Sequence, residues 1–159
     1  MRNMSRERIK ELAVDEMLKR YVKLSPEAVL NESKGYAKEI EDAQAELNSI
    51  AELKAASNSE VHSGNISKPV EELASILMER QDKLEMLVEM SNIVAKALDS
   101  LSDERKKIIE IFFFDGGNIG QAIDQFSREH GFSVRGVYRE RRAALEEFAE
   151  AVEAEMTIF

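Results

Sequence analysis

The chain contains no cysteine and no tryptophan, and only seven glycines and two prolines among its 159 residues. Without cysteine it can form neither a disulfide framework nor a thiolate zinc site, and it cannot use a cysteine nucleophile. Residues that interrupt helices are scarce, while Ala, Glu, Leu, Lys and Arg are abundant. The composition therefore predicts an all-α protein.

Long apolar runs are also missing. None approaches the ~20 residues that a membrane-spanning helix needs, and the charged N-terminus, MRNMSRERIKEL, lacks the apolar core of a signal peptide. We therefore expect a cytoplasmic protein that does not contact a membrane. The net charge of −9 argues against unselective coating of nucleic acid, because that activity needs a broad basic surface.

The charge is distributed unevenly near the C-terminus. Residues 133–142 carry four arginines against a single acid, Glu140, whereas residues 146–155 carry five glutamates and no basic residue. A chain with this distribution should dock on DNA in one orientation, with an affinity that depends strongly on salt.

The N-terminal part divides into a helical segment at 1–57 and a linker at 58–69. The first range repeats apolar residues at helical spacing. Within it, Ser25-Pro26-Glu27 predicts the start of a helix that continues through Ile50, with Gly35 as a weak point. The linker is rich in Ser, Asn and Gly and has no apolar periodicity.

Residues 70–101 carry a repeat of mostly apolar residues at alternating intervals of three and four, interrupted only by Arg80: Val70, Leu73, Leu77, Leu84, Leu87, Ser91, Val94, Leu98 and Leu101. Sustained over about four heptads, this spacing predicts a long helix in a coiled-coil or hairpin seam. Two partners remain open for that seam: residues 26–55 of the same chain, or a second chain.

Residues 102–155 have the pattern of three short helices separated by capping and turn residues. A densely apolar first helix is followed by an amphipathic second one and by a third that carries the arginines. The residues that cap or end these helices are Ser102, the turn Asp115-Gly116-Gly117, Asn118, Gly131 and Ser133.

The third helix has two chemically different faces. Arg135, Arg139 and Arg142 share one face at i, i+4 and i+7. The opposite face is apolar and consists of Val137, Ala144, Leu145 and Phe148. A helix with an apolar back and a guanidinium stripe suits insertion into the major groove of DNA.

Several of these side chains have more than one interpretation. The stripe is alternatively a solvated helix face paired with Glu146 and neighbouring acids. Tyr138 either contacts a phosphate or sugar or packs as a partly buried ring, and Arg141 belongs to the scaffold because it lies nearer the apolar side. Ser133 is a candidate backbone contact at the helix N-terminus.

No constellation in the chain predicts catalysis. The only histidines, His62 and His130, lie far apart and lack the spacing of metal ligands. Gly116-Gly117 with Gly120 is preceded by no strand and followed by no Lys-Ser/Thr pair, which favours a turn over a phosphate loop. We expect no enzyme activity, no metal and no cofactor.

The C-terminal third resembles region four of bacterial sigma factors and the helix-turn-helix modules related to it. The shared frame is L-S-x-E-R from Leu101 to Arg105, G-[apolar]-S-x-x-x-V from Gly131 to Val137, and Ala144-Leu145. Gly136 followed by Val-Tyr-Arg is similar to the T-V-Y-R of phage versions. With Ser67-Lys68-Pro69 and the long helix in front, residues 66–150 resemble RinA/ArpU-type phage transcriptional regulators.

The resemblance implies a phage or prophage regulator that binds double-stranded DNA and controls late genes. The DNA-contacting residues would be Ser133, Arg135, Tyr138, Arg139 and Arg142. A homo-oligomer, with a dimer favoured, would add affinity and specificity. RNA polymerase is a candidate partner for the apolar end at residues 156–159. The sequence departs from the family pattern at Glu140, where an apolar residue is common, and at Gly136, where Thr or Arg is common.

Two alternative functions stay open. A small terminase-type subunit would also recognise DNA, and it would form a ring of many copies. A coiled-coil adaptor with the same architecture would bind protein in place of DNA.

Overall fold

The computed structural model describes residues 5–21, 25–60 and 68–157, and every regular element within these ranges is a helix. The all-α prediction is confirmed. The elements are α1 (Ser5–Arg20), α2 (Pro26–Ser33), α3 (Tyr36–Glu60), α4 (Lys68–Asp99), α5 (Asp103–Ile109), a π-helical segment (Glu110–Phe114), α6 (Ile119–His130) and α7 (Val134–Met156).

Four helices begin at side-chain caps that the sequence predicts. In each of them the cap oxygen accepts a hydrogen bond from the backbone amide three residues later, which satisfies one of the free amides of the first turn. The caps are Ser25, Ser102, Asn118 and Ser133. At the other end of α6, Gly131 has φ 73° and ψ 20°, the left-handed conformation that glycine adopts without strain.

The helix predicted from Ser25 through Ile50 is interrupted. It ends at Ser33 and restarts at Tyr36, after a turn at Lys34-Gly35. The Ser33 hydroxyl donates to the Leu30 carbonyl at 2.7 Å, and the Gly35 amide donates to the Glu32 carbonyl at 3.0 Å. These bonds tighten the last turn of α2 and take carbonyl oxygens that a continuing helix would use.

Helical structure extends into both ends of the predicted 58–69 linker, because α3 reaches Glu60 and α4 starts at Lys68. Pro69 falls in the first turn of α4, where a missing backbone amide costs no helical hydrogen bond. Residues 61–67, which include His62, lie outside the described residues.

A large core cluster joins α1–α5 to the second half of α7. Helix α4 packs most extensively along α3 and also contacts α1, α2 and α7. Of the two partners that its leucine repeat left open, the structure therefore shows one within the same chain. The fully buried side chains of this cluster include Met17, Leu30, Tyr36, Leu87, Met90, Ile93, Ile109 and Phe148.

Two polar contacts connect the N-terminal helices around that cluster. Arg20 of α1 bonds to Glu16, to Glu32 of α2 and to Glu39 of α3, each at 3.0 Å. The hydroxyls of Tyr21 and Tyr36 lie 3.1 Å apart in a buried position. Both rings can therefore be buried without leaving their polar ends unsatisfied.

A small core cluster supports the C-terminal head, by which we mean α5, the π-helical segment, α6 and the first half of α7. Its buried members are Ile108, Ile111, Ile123, Phe126 and Val137. In the π-helical segment the Asp115 amide donates to the Glu110 carbonyl at 2.8 Å, and the side chains are divided between the two clusters. Ile111 faces the small cluster, Phe113 the large one, and Phe112 packs against both.

Helix α7 is shared by the two clusters. Val137 belongs to the small cluster, whereas Ala144, Leu145, Phe148, Val152 and Met156 belong to the large one. The head is consequently fixed to the helices of the large cluster through α7 and through Ile109 and Phe113, which also belong to that cluster. None of the helices in the described ranges is long and apolar enough to cross a membrane.

Candidate nucleic-acid interface

The first half of α7 presents the predicted arginines to solvent. Arg135, Arg139 and Arg142 are all exposed, and we call them the basic stripe. The apolar face behind them is buried, as the sequence predicts: Val137, Ala144 and Phe148 have no accessible surface. The helix therefore buries one side and offers the stripe on the other.

Within the described ranges, no carboxylate lies within 4.0 Å of a stripe guanidinium, whereas Arg105 and Arg141 are both paired. The described contacts therefore show no pairing of the stripe with Glu146 or its neighbours. An exposed cation without a paired acid keeps its full charge for an anionic partner.

The N-terminus of α7 adds partial positive charge next to the basic stripe. Ser133 Oγ accepts the Gly136 amide at 3.0 Å, and the first turn contains no acidic residue. The remaining free amides of the first turn point outward and favour an anion. Ser133 is itself exposed, so its hydroxyl is accessible at the end of the stripe.

Gly136, the first of the two positions at which the sequence departs from the pattern that it resembles, lies close to the cap of α7. A Cβ atom at this position would lie 3.2 Å from Ser133 Oγ and 3.6 Å from the Cβ of Phe132. Any side chain would therefore press on the cap at the start of α7.

Tyr138 packs on one side and is accessible on the other. Its side chain is 51% exposed, and its ring makes an edge contact with Phe112 at a centroid distance of 5.5 Å. The ring is thus held in place while about half of the residue remains accessible beside the stripe.

Arg141 lies in the scaffold, as expected from its place on the helix. Its guanidinium carbon is 5.1 Å from the centroid of Phe112 and 5.4 Å from that of Phe113. It also reaches Glu27 of α2 at 3.9 Å. Arg141 therefore joins the head to the N-terminal helices and is not part of the stripe.

Glu140, the second departure from the family pattern, pairs with Arg105 at 3.6 Å. Arg105 also bonds to Glu147, and this hydrogen bond raises the pKa of Arg105 above its usual value. The two glutamates lie two turns apart on α7, so one arginine of α5 holds both. Glu140 is thereby directed to α5 and leaves the stripe unpaired.

The turn before α7 is fixed by aromatic packing. The rings of Phe132 and Phe126 are nearly parallel, with centroids 5.9 Å apart, and the Ser127 hydroxyl bonds to the Phe132 carbonyl. Phe132 is thus partly buried against the small cluster.

The remaining candidates give no chemical site. His130 Nδ1 lies 3.6 Å from Glu104, and its ring packs against Phe126 at 4.3 Å. Among the described residues, no three His, Cys, Asp or Glu side chains are placed to hold a metal ion. The glycines at 116, 117 and 120 are exposed in the turn before α6 and at its start. At the C-terminus, Met156 is buried in the large cluster, and Ile158-Phe159 lies outside the described residues.

Sequence reasoning overlooked Val134. It occupies the first position of α7 and is 48% exposed, directly beside Arg135. At 100° per residue it falls in line with the buried Leu145 and Val152, so the helical period predicts burial there and carries no signal of its exposure.

Searches against family models, curated proteins and solved structures return no match to this chain.

Proposed function

We propose that this protein is a sequence-specific DNA-binding regulator of transcription that inserts the first half of α7 into the major groove. The observation that carries the proposal is the basic stripe, which is exposed and unpaired among the described carboxylates although the chain has a net charge of −9. The phage or prophage origin and the control of late genes are supported by the sequence resemblance alone.

The chemistry of the stripe suits such a complex. Arginine donates two parallel hydrogen bonds to the O6 and N7 of guanine, and it pairs equally well with phosphate oxygens. In this mechanism Arg135 and Arg139 read bases, Arg142 contacts bases or the backbone, and Tyr138 meets a sugar or phosphate. Ser133 and the amides of the first turn receive a phosphate at the helix N-terminus. The acidic surface elsewhere would repel DNA in other orientations.

The decisive experiment measures specific binding by a charge-matched pair of variants. A binding-site selection at two salt concentrations supplies the DNA, and a gel-shift assay gives the affinities. Arg135→Ala with Arg139→Ala should abolish specific binding and leave the melting temperature unchanged. Arg6→Ala with Lys19→Ala removes the same charge from exposed positions of α1 and should bind as the wild type does. Unchanged binding by the α7 variant would sink the proposal.

We further propose that the protein acts as a homodimer, since two copies can read two half-sites. The dimer proposal is supported by the parts of α3 and α4 whose side chains are not buried in either core cluster. Among the side chains at 44–56 and 71–86, none is fully buried within one chain. Leu53, Ile76 and Met78 remain 57%, 38% and 62% exposed. Apolar side chains on a leucine-patterned helix favour a second copy as their cover.

Solution mass tests the dimer and separates the alternatives. Sedimentation equilibrium should give twice the chain mass, and Leu53→Lys with Ile76→Lys should give a monomer. A ring of many copies would instead favour a terminase-type subunit. Failure to bind any DNA at any salt concentration would favour the adaptor.

A further inference from the structure

The exposed face of α7 changes the sign of its charge halfway along the helix. Beyond Arg142 the basic stripe is continued by three exposed glutamates, which we call the acidic stripe: Glu146, Glu150 and Glu153. At 100° per residue, the six side chains of the two stripes fall within an arc of about 80°, on the side away from the buried face. Among the described residues, no Lys, Arg or His is ion-paired with the acidic stripe, whereas Glu147 on an adjacent side pairs with Arg105. The helix therefore exposes one charged face whose two halves are opposite in sign.

This separation of charge is unfavourable for α7 by itself. The macrodipole of a helix favours acids in the first turn and bases in the last turn. In α7 the first turn contains Arg135 and no acid, and the last turn contains Glu153 and no base. Within each stripe, residues one turn apart carry the same charge and repel each other. The stability of the helix thus does not explain the pattern, and contact with DNA would explain only its basic half.

The two stripes become complementary when a second copy of α7 lies against the first in the opposite direction. A two-fold axis near Ala144 would place each residue opposite the one that lies equally far beyond the axis. The opposed pairs are Arg135 with Glu153, Arg139 with Glu150, and Arg142 with Glu146. All three agree with a single axis to within one residue, or about 1.5 Å along the helix, and the symmetry forms each pair twice. The antiparallel arrangement also brings opposite ends of the two macrodipoles together.

We propose that the exposed face of α7 is a self-association surface, on which a second copy of this chain binds antiparallel and covers the basic stripe. The contact consists of exposed ion pairs, so it is weak and is lost at high salt. It is separate from the dimer proposed through α3 and α4, which depends on apolar side chains. The association itself does not depend on the proposed function. Its consequence does, because DNA and the second copy need the same arginines and therefore exclude each other.

Sedimentation equilibrium tests this surface in a full-length chain that carries Leu53→Lys with Ile76→Lys, so that α3 and α4 do not pair. This parent chain should associate at about 0.02 M salt, where charges interact over tens of ångströms. It should be monomeric at about 0.5 M salt, the condition in which the dimer through α3 and α4 is to be measured.

Two complementary variants of the parent chain identify the contact. One is acidic along the whole face, Arg135→Glu with Arg139→Glu, and the other is basic, Glu150→Lys with Glu153→Lys. Each should associate at least about tenfold more weakly than the parent at low salt, because like charges then face each other. An equimolar mixture should regain the association, since opposite charges again meet at every pair. Both variants move charge in the direction that the macrodipole favours, so we expect both to fold.

Two controls separate this contact from a change in net charge. Arg6→Glu with Lys19→Glu shifts the charge as far as the acidic variant does, at exposed positions of α1, and should associate as the parent does. A chain that carries all four α7 reversals has the net charge of the parent and should associate with itself.

The outcomes distinguish this surface from the proposed function. A parent chain that stays monomeric at low salt overturns the surface and leaves DNA binding intact. A mixture that stays monomeric although the parent associates overturns it as well, because the copies then meet elsewhere. A chain that associates as expected but selects no DNA keeps the surface and loses the proposed function. Where both occur, the selected DNA should dissociate the α7 pair at low salt, and binding without such competition would show that the second copy does not cover the stripe.

Discussion

The guanidinium carbon of Arg141 lies 5.1 Å from the centroid of the Phe112 ring, whereas its neighbour Arg142 is exposed and has no acid within ion-pair distance among the described residues. Two adjacent arginines of one helix thus lie in different environments. One holds the head to the body, and the other is available to a partner.

Alanine substitutions at these two positions should separate stability from binding. Arg141→Ala removes the contacts with both phenylalanines and with Glu27, and we expect a loss of about 1–2 kcal/mol in the free energy of unfolding. Arg142→Ala should change that free energy by less than about 0.5 kcal/mol. Urea denaturation measures both, and a larger loss for Arg142→Ala would contradict the assignment.

The same pair should differ in the salt dependence of DNA binding. If Arg142 contacts a phosphate, its removal lowers the slope of log affinity against log salt concentration by about 0.9. Arg141→Ala, measured where it is fully folded, should retain the wild-type slope. Equal slopes for all three proteins would exclude a phosphate contact by Arg142.

Substitutions at Ser133 test the start of α7. Both Asn and Asp can cap a helix as serine does, so Ser133→Asn and Ser133→Asp should keep the wild-type stability within about 0.5 kcal/mol. The aspartate places a negative charge where we expect a phosphate, and it should weaken DNA binding about tenfold or more relative to the asparagine. Similar affinities for the two variants would indicate that no phosphate approaches this end of the helix.

The helix caps and the exposed stripe could be predicted from the sequence because both follow from local rules. Ser102, Asn118 and Ser133 are favoured caps placed before apolar runs, and Gly131 follows the last periodic residue of α6. The burial of Val137 required only the helical period of 3.6 residues.

Features that depend on distant parts of the chain could not be predicted in this way. Arg105 and Glu140 are separated by 35 positions in the sequence, and which acid an arginine meets depends on how the helices pack. The division of Ile111 and Phe113 between the small and the large cluster likewise depends on where α6 and α7 lie.

The buried tyrosine pair makes stability depend on pH in the alkaline range. Burial is the main cause that raises the pKa of Tyr21 and of Tyr36 above the usual value of 10.0, and the mutual hydrogen bond adds to the rise at Tyr21. The unfolded chain therefore releases these protons at about pH 10, while the folded chain retains them. This contribution to stability is complete below that pH and is lost as the pH rises above it.

Urea denaturation between pH 9 and pH 11 checks this pH dependence. Tyr21→Phe and Tyr36→Phe should each lower stability at neutral pH, because the partner hydroxyl loses its hydrogen bond in a buried position. Each should also reduce the decline in stability above about pH 10. A decline as steep as that of the wild type in both variants would place its origin elsewhere.

Because α7 belongs to both core clusters, the head and the helical body should unfold together. Phe148 has no accessible surface and lies in the large cluster, so Phe148→Ala should cost about 3–5 kcal/mol. In Phe148→Ala, native-state hydrogen exchange should show that the backbone amides of α6 lose protection together with those of α4, although the buried side chains of α6 belong only to the small cluster. The exposed substitution Leu18→Ala, on α1, provides the control and should leave both sets unchanged. If α6 kept its protection while α4 lost it, the head would be a separate folding unit. The orientation of the stripe would then not be fixed by the body.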